Sequence, residues 1–486
     1  MRRFLEGILQ RICLRSATDV AILTVMLNDR SNPARRTFLK NAGGGAGMLA
    51  CSHLLAAEQG RHNHVPRAKR VIWLFMHGGP SHVDLFDPKP ALTKFAGQPV
   101  PEEFGNIMTR RAVAKNPLLA PVKPFRPCGE SGLEISTFLP HMSRHADDIC
   151  VIRSMHGDSV NHPQSVYQMN TGRILMGSPS IGAWVAYGLG TENENMPAFV
   201  VLPDPGGGLK GGPPAWGNGF LPASYQGVTM RPGTAPILNL HAPNQFGDAQ
   251  QERTRKLLHA FNKRHRAARD QEDALTARIK SYELAFRMQA AAPELVDISR
   301  ESADTHRLYG LDNATTQEFG QRCLLARRMI EQGVRFVQVY SGDTNGWDAH
   351  SDVLRNHGEY CARTDKPVAG LLTDLRQRGL LDDTLVIWGG EFGRMPMSEQ
   401  GKGRDHNPWG FSAWLAGAGV RGGRFHGATD AIGLRAETDR VSITDFHATL
   451  LHLMGLDHEL LSYFHNGLDQ RLTGPGEAHV VQNLIA

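Results

Sequence analysis

The stretch "DDTLVIWGGEFGRMP", residues 382–396, decides how the fold of this chain is interpreted. Its apolar run from Leu385 to Trp388 has the composition of a buried strand, and glycines then lead to the carboxylate of Glu391. A buried strand gains nothing from a carboxylate at its exit, whereas ligands of open α/β folds bind at the carboxyl ends of parallel strands. The stretch therefore predicts either a site residue at Glu391 or a strand that ends in a solvated turn.

Three further apolar runs are rich in Val, Ile and Phe and predict strands of the same kind. They are "VIWLFM" (71–76), "FVVL" (199–202) and "VRFVQVY" (334–340). Amphipathic helical patterns, "FGQRCLLARRMIEQG" and "KPVAGLLTDLRQRGL", precede the third of these runs and the run within 382–396. Strands that alternate with helices predict an α/β fold with a mainly parallel central sheet flanked by helices.

Acids and histidines collect next to these predicted strands. The residues are His77, Ser81, His82, Asp84 and Asp87 after the first run, Asp343, Asp348 and His350 after the third, and Asp405 and His406 before the next predicted strand. One His–Asp pair alone is more often a structural hydrogen bond than a site. Several pairs at the ends of strands of one sheet favour a site, because the fold gathers those ends in space.

The chemistry of these side chains suits a metal ion. Mixed carboxylate and imidazole ligands bind Zn²⁺, Mn²⁺ or Fe and, where oxygen dominates, Mg²⁺ or Ca²⁺. A cation bound there polarises a phosphoryl or sulfuryl oxygen and activates water. The residues alone thus predict a metallohydrolase site without naming its substrate.

The distribution of charge gives no argument for a nucleic-acid partner. The formal net charge is +5, but residues 1–40 hold eight Lys and Arg against three Asp and Glu. From totals of 53 and 48, this leaves 45 residues of each sign in the rest of the chain. The body of the protein is balanced, so we predict no nucleic-acid binding.

The N-terminal excess of positive charge has a specific pattern in "NPARRTFLKNAGGGAGMLACSHLLAA", residues 32–57. Arg35 and Arg36 precede a mildly apolar, glycine-rich stretch that resembles a twin-arginine export signal and is too short to form a transmembrane segment. We therefore predict a signal region at 1–57, the twin-arginine export machinery as a partner, and a periplasmic or extracellular protein. An N-terminal amphipathic helix is the alternative, and signal cleavage and anchoring both stay open.

Two segments between the predicted strands differ from the rest. Residues 203–247 are rich in Gly and Pro, and such segments either border an active site or only connect surface elements. Residues 249–290 are charged and carry an apolar helical repeat, which predicts a long helix or a helical pair packed on the sheet. The repeat consists of Leu275, Ile279, Tyr282 and Phe286.

Longer motifs resemble one known family. They are "HGGPSHVDLFDPKP", "SYELAFRMQ", "CLLARRMIEQGVRFVQVY", "DKPVAGLLTDLRQRGLLDDTLVIWGGEFGR", "GRDHNPWGFSAWLAGAGVRGG" and "TDFHATLLHLMGLDH". These motifs, which span nearly everything after the signal, resemble the exported, sulfatase-like family called domain of unknown function 1501, part of the alkaline-phosphatase superfamily. The resemblance implies a single sulfatase-like α/β domain over 67–475 with a helical insertion at about 249–295.

The resemblance also implies site residues. "LVIWGGEFG" resembles a sulfatase segment that ends in Ser-Asp-Asn/His-Gly, so that Glu391 would replace the aspartate, while Phe392 stands where Asn or His is expected. "NHPQSVYQMNTGR" resembles the stretch that carries the nucleophile, and it places His162 at the nucleophile position. The metal ligands implied by the superfamily are His77, Asp348, His350, Glu391, Asp405 and His406.

These expectations favour an exported, metal-dependent hydrolase of sulfate or phosphate esters. His162 would act as nucleophile or general acid and base, with Ser81 as a further candidate nucleophile. The cofactor would be Zn²⁺, Mn²⁺, Mg²⁺ or Ca²⁺, and the substrate a small-molecule or polysaccharide ester. The competing hypothesis is a catalytically inactive relative that acts as a secreted carbohydrate-binding or surface protein, because neither Cys nor Ser stands at the nucleophile position.

Overall fold

The structure is a computed structural model that describes residues 63–105, 107–231, 236–237, 247–267 and 273–486. The predicted signal region, 1–57, lies outside the described residues. One compact unit spans His62–Ala486. No helix among the described residues combines the length and the apolar content that crossing a bilayer needs.

The strands and helices alternate along most of this unit. The strands are β1 Arg70–Met76, β2 Phe125–Cys128, β3 Leu133–Ser136, β4 Ile149–His156, β5 Phe199–Leu202, β6 Val228–Thr229, β7 Phe336–Ser341, β8 Thr384–Gly389, β9 Gly393–Arg394, β10 His406–Asn407, β11 Phe411–Ala416, β12 Arg424–His426, β13 Ala428–Thr429, β14 Ala436–Thr438, β15 Val441–Ser442, β16 Tyr463–His465 and β17 Leu468–Gln470. The helices are α1 His82–Leu85, α2 Pro90–Lys94, α3 His162–Thr171, α4 Ile181–Leu189, α5 Asp248–Ala267, α6 Asp273–Val296, α7 Ala303–Leu308, α8 Gln317–Glu331, α9 Val353–Gln377 and α10 Ile443–Leu453.

The central sheet is mainly parallel, which confirms the predicted fold class. Its order in the described chain is β12-β4-β11-β8-β1-β7-β5-β6, with β15 also paired to β4. Only β11 pairs antiparallel with its neighbours, β4 and β8. The carboxyl ends of β1, β4, β7 and β8 therefore lie at the same edge, and the start of β11 lies there as well.

Both faces of the sheet are covered, as expected for a parallel sheet. Alternate residues of β1 enter two separate cores, with Ile72 and Leu74 on one face and Val71 and Trp73 on the other. Helices α8 and α9 pack on the first face, and α4 and α10 pack on the second. This double burial explains why the strand sequences are continuously apolar and do not alternate.

Two elements show where the structure departs from the sequence interpretation. Strand β4 was not predicted, because Arg153 interrupts its apolar run; this buried guanidinium donates from Nε to the carbonyl of Phe86 at 2.8 Å. Over the predicted insertion the structure has a helical pair, α5 and α6, and the predicted apolar repeat is only partly buried. Ile279 is buried, whereas Tyr282 is exposed and lines an open groove between α5 and α6.

Candidate metal centre

The carboxyl edge of the sheet gathers the predicted site residues. His77 follows β1 directly, and Glu391 lies two residues beyond β8. The loop after β7 carries Asp348 and His350. Because β1 pairs in parallel with both β7 and β8, these three exits lie side by side.

Two more elements reach the same edge. Helix α3 begins at His162, shortly after β4, and Pro163 in its first turn occupies a position where no backbone N–H is needed. Asp405 and His406 precede β11, which runs opposite to the other strands and therefore starts at this edge. The reversed strand thus explains how residues before a strand join residues that follow strands.

Four histidines are oriented in the same way. Each has Nδ1 within hydrogen-bond distance of an acceptor: His77 to the carbonyl of Asp343 at 2.9 Å, His162 to Oε1 of Glu391 at 2.7 Å, His350 to Oε2 of Glu399 at 2.5 Å and His406 to the carbonyl of Val160 at 2.6 Å. Carbonyl and ionised carboxylate oxygens only accept, so Nδ1 carries the hydrogen. The neutral ring then has its lone pair on Nε2.

Three of these Nε2 atoms converge on one carboxylate. Nε2 of His162 lies 3.0 Å from Oδ2 of Asp348, and Nε2 of His350 and of His406 lie 2.9 and 3.1 Å from Oδ1. Although the first two contacts are close, they lack hydrogen-bond geometry, so both nitrogens are buried without a hydrogen-bond partner among the described residues. Lone pairs that face a carboxylate repel it unless a cation lies between them.

The arrangement fits a bound metal ion. Histidines that bind a metal donate their other ring N–H to a carboxylate or carbonyl, as all four do here. Three groups place one ligand atom per residue within 4.8 Å of one another: His77, His162 and Glu391; His162, Asp348 and His406; His350, Asp405 and His406. A set rich in imidazole suits Zn²⁺ or Fe better than Mn²⁺, Mg²⁺ or Ca²⁺, which prefer oxygen ligands.

Asp348 is held ionised at the centre of the cluster. Burial would raise its pKa, but the positive charge of the Arg394 guanidinium outweighs burial and holds the pKa of Asp348 far below its usual range. Arg394 donates from Nη2 to Oδ1 at 2.7 Å, and Lys210 donates from Nζ to Oδ2 at 2.8 Å. Each carboxylate oxygen therefore already accepts from one cationic side chain.

Glu391 is the second buried carboxylate. Burial would raise its pKa, but His77 and the hydrogen bond from His162 outweigh burial, so that the pKa of Glu391 lies below its ordinary value. The N–H of Gly78 donates to both of its oxygens, at 2.9 and 3.2 Å. Burial also lowers the pKa of His77 and of His406, which favours the neutral imidazole that can bind a metal.

Ser81 lies apart from these groups. Its hydroxyl donates to Oδ2 of Asp84 at 2.5 Å, and its N–H donates to Nε2 of His357 at 2.8 Å. Asp84 in turn pairs with Arg404, at 2.8 Å from Nε. Ser81 thus belongs to a neighbouring buried network, and it is in none of the three ligand groups.

The sequence interpretation did not select four residues that shape the site. Arg394, Lys210 and Glu399 supply charge, and Phe392 supplies packing. Arg394 and Phe392 were visible in the stretch 382–396, directly after Glu391. Lys210 lies in the Gly/Pro-rich segment that the composition indicated as a possible border of an active site.

Phe392 holds two imidazole rings in place. Its ring centroid lies 4.5 Å from that of His406, in a stacked arrangement, and 4.9 Å from that of His162. On its other side is Gly79, where a Cβ would lie 2.6 Å from Cδ2 of the phenylalanine. A residue that cannot bind a metal therefore positions two that can.

Comparison with known proteins gives one family and several distant folds. The family described as "Protein of unknown function (DUF1501)" matches residues 68–485. No curated protein matches significantly.

Among solved structures, the chain is similar to three enzymes at TM-scores that are too low to support any inference about activity. The PsFucS1 sulfatase from Pseudoalteromonas sp. has a TM-score of 0.35 and 13% identity, over 89% of this chain and 77% of that one. The lipoteichoic acid synthase LtaP from Listeria monocytogenes has 0.34 and 9%, over 85% and 76%. The alkaline phosphatase from the Antarctic bacterium TAB5 has 0.36 and 8%, over 81% and 99%.

Proposed function

This chain belongs to the DUF1501 family, and from that premise we propose that it is an exported, metal-dependent hydrolase of sulfate or phosphate esters. The observation that carries the proposal is the convergence of three histidine Nε2 atoms on Asp348 at the start of α3. A divalent cation held by Asp348, His350 and His406 would polarise the ester oxygens. Asp405, His77 and Glu391 are the remaining candidate ligands.

The site is built to receive an anion. Helix α3 directs the free N–H groups of its first turn toward this edge of the sheet, where they favour a negative charge. Lys210 is the most exposed charged residue of the cluster, with 23% of its side chain accessible, and it lies 2.8 Å from Asp348. An approaching sulfate or phosphate group therefore meets the lysine ammonium before it meets the buried carboxylates.

We assign the proton-transfer or nucleophilic role to His162 in preference to Ser81. Glu391 accepts the Nδ1 hydrogen of His162, so Nε2 is the atom that can take a proton or form a bond. Arg394 fixes Asp348, which faces this same nitrogen. The hydroxyl of Ser81 is already committed to Asp84.

The first prediction is that His162→Asn removes activity while the metal stays bound. Metal content is measured on protein purified without added ions, and hydrolysis of aryl phosphate and aryl sulfate is measured after loading with Zn²⁺, Mn²⁺, Mg²⁺ or Ca²⁺. We expect a fall of roughly 100-fold or more in hydrolysis, since general acid–base catalysis contributes about that factor. Bound metal should stay close to that of the wild type, because Asp348, His350 and His406 remain.

His447→Asn is the matched control. His447 is also fully buried, and its Nε2–H donates to the carbonyl of Met169 at 2.8 Å. Its loss should lower stability while metal content and hydrolysis stay unchanged. If wild-type protein loaded with each metal hydrolyses neither ester, the enzyme proposal fails and a secreted carbohydrate-binding or surface protein replaces it.

Export by the twin-arginine route is part of the proposal. It is supported by Arg35 and Arg36 before the glycine-rich stretch that ends near residue 57. A reporter fused after residues 1–60 should reach the periplasm, and replacing both arginines by Lys should block its transport. Unchanged transport of the double variant would remove this part of the proposal and leave the hydrolase untouched.

A further inference from the structure

Helix α5 presents apolar side chains to solvent. No side chain from Arg253 to Phe261 is buried, and Leu257, Leu258 and Phe261 are 56%, 55% and 59% exposed. Tyr282 of α6 is 59% exposed, and it lines a groove of about 510 Å³ between the two helices together with Leu258. Most of the stability of helices in proteins comes from packing of an apolar face. The apolar side chains of α5 lack such packing among the described residues.

The same helix is strongly basic. Between residues 249 and 265 its described side chains include Arg253, Arg255, Lys256, Lys263 and Arg264 against the single carboxylate of Glu252. Glu252 is already paired with Arg255 at 2.6 Å and with Lys256 at 3.5 Å.

Two cations flank the apolar side chains. Arg253 lies four residues before Leu257 and Arg264 lies three residues after Phe261, which puts them on the same side of the helix. Neither arginine has an ion-pair partner among the described residues. We call Leu257, Leu258, Phe261, Arg253 and Arg264 the basic apolar face.

We propose that the basic apolar face binds the surface of a membrane that contains anionic lipids. An interfacial helix needs apolar side chains that enter the acyl boundary and cations that meet the headgroups, and α5 supplies both on one side. A second copy of the chain is disfavoured, because a symmetric contact would bring the same unpaired arginines together. Nucleic acid is disfavoured, because its phosphate backbone offers nothing to Leu257 and Phe261. The inference does not depend on the proposed hydrolysis.

The experiment is cosedimentation of the full chain with vesicles of phosphatidylcholine, with and without phosphatidylglycerol. We expect binding to the anionic vesicles only. Leu257→Glu/Phe261→Glu should bind about tenfold more weakly or worse, since two large apolar side chains no longer enter the acyl boundary. Arg253→Gln/Arg264→Gln should also bind the anionic vesicles about tenfold more weakly, and its binding should depend less on salt concentration.

The matched control is Leu460→Glu/Phe464→Glu. These residues are 67% and 68% exposed and four apart, but they lie beside Asp457 and Glu459 and have no cationic flank. The control should bind like the wild type. Hydrogen exchange of wild-type amides 251–264, slowed by anionic vesicles, gives a second measurement that does not require any variant to fold.

Three results would overturn the proposal. The first is equal binding to vesicles with and without phosphatidylglycerol. The second is binding to a polyanion such as heparin without binding to vesicles, which would make the partner an anionic polymer. The third is a change in oligomeric state in Leu257→Glu/Phe261→Glu without wild-type vesicle binding, which would make the partner a second copy.

Discussion

At the scale of single residues, Gly78 shows how closely the loops of the site approach each other. Its φ is +110°, and a Cβ there would lie 2.5 Å from the backbone nitrogen of Trp347 and 2.6 Å from that of Asp348. Its own N–H donates to Glu391. The loop that carries Asp348 can therefore reach the end of β1 only because this position has no side chain.

We predict that Gly78→Ala loosens the site more than a turn glycine in open space would. Gly379 is the comparison, because it also has a positive φ, +68°, but no atom lies within 4 Å of the position that a Cβ would take there. Gly379→Ala should cost about 1–2 kcal/mol, the penalty of the left-handed backbone. Gly78→Ala should cost about 1–3 kcal/mol more, because backbone atoms must move. Urea unfolding measures both, and equal losses would contradict the argument.

At the scale of elements, the sequence predicts strands well where burial on both faces makes them apolar. The predicted 199–202 coincides with β5, and the predicted runs at 71–76 and 385–388 lie within β1 and β8. β4 was not predicted because the buried Arg153 interrupts its apolar run. The acceptor for this arginine is the carbonyl of Phe86, which is distant in sequence and is not revealed by any local pattern. The helical period within 249–290 was visible, but only tertiary packing decides which of its side chains are buried.

The site was less predictable than the sheet. Acids and histidines next to strands could be identified because a parallel sheet brings strand ends together. Lys210 could not be identified from the sequence, because it lies 138 residues from Asp348 on a loop whose course depends on its glycines. The common orientation of the four imidazoles could not be identified either. The acceptors for His77 and His406 are backbone carbonyls, which carry no sequence signal.

At the scale of the whole molecule, a buried ion pair ties the region around the site together. Arg404 donates to Asp84 at 2.8 Å, and it also donates to the carbonyls of Leu119, Ala120 and Pro396. Burial would raise the pKa of Asp84, but Arg404 and the hydrogen bond from Ser81 outweigh it and leave the pKa below the ordinary value. The pair thus makes stability depend on pH.

We predict that this pair stabilises the fold at neutral pH and loses its effect in acid. Because the pKa of Asp84 is lowered in the folded state, the unfolded chain binds the proton more readily near its ordinary pKa of about 3.9. The contribution is therefore complete above about pH 5 and declines as pH falls through that value. Asp84→Asn should cost about 3–5 kcal/mol of unfolding free energy at neutral pH, because Arg404 loses its buried counter-charge. The difference in unfolding free energy between the wild type and Asp84→Asn should become smaller as the pH is lowered.

Asp365→Asn distinguishes this effect from a general loss of buried hydrogen bonds. Asp365 is also buried and accepts from the N–H groups of His141 and Met142, both at 2.8 Å, but burial raises its pKa. A raised pKa means that the folded state binds the proton more readily, so the contribution of Asp365 grows as pH falls. Urea unfolding at neutral and acidic pH measures the loss of unfolding free energy in each variant. As the pH falls, this loss should decrease for Asp84→Asn and increase for Asp365→Asn. If both losses of unfolding free energy decrease in acid, Asp84 and Arg404 do not set the pH dependence of stability.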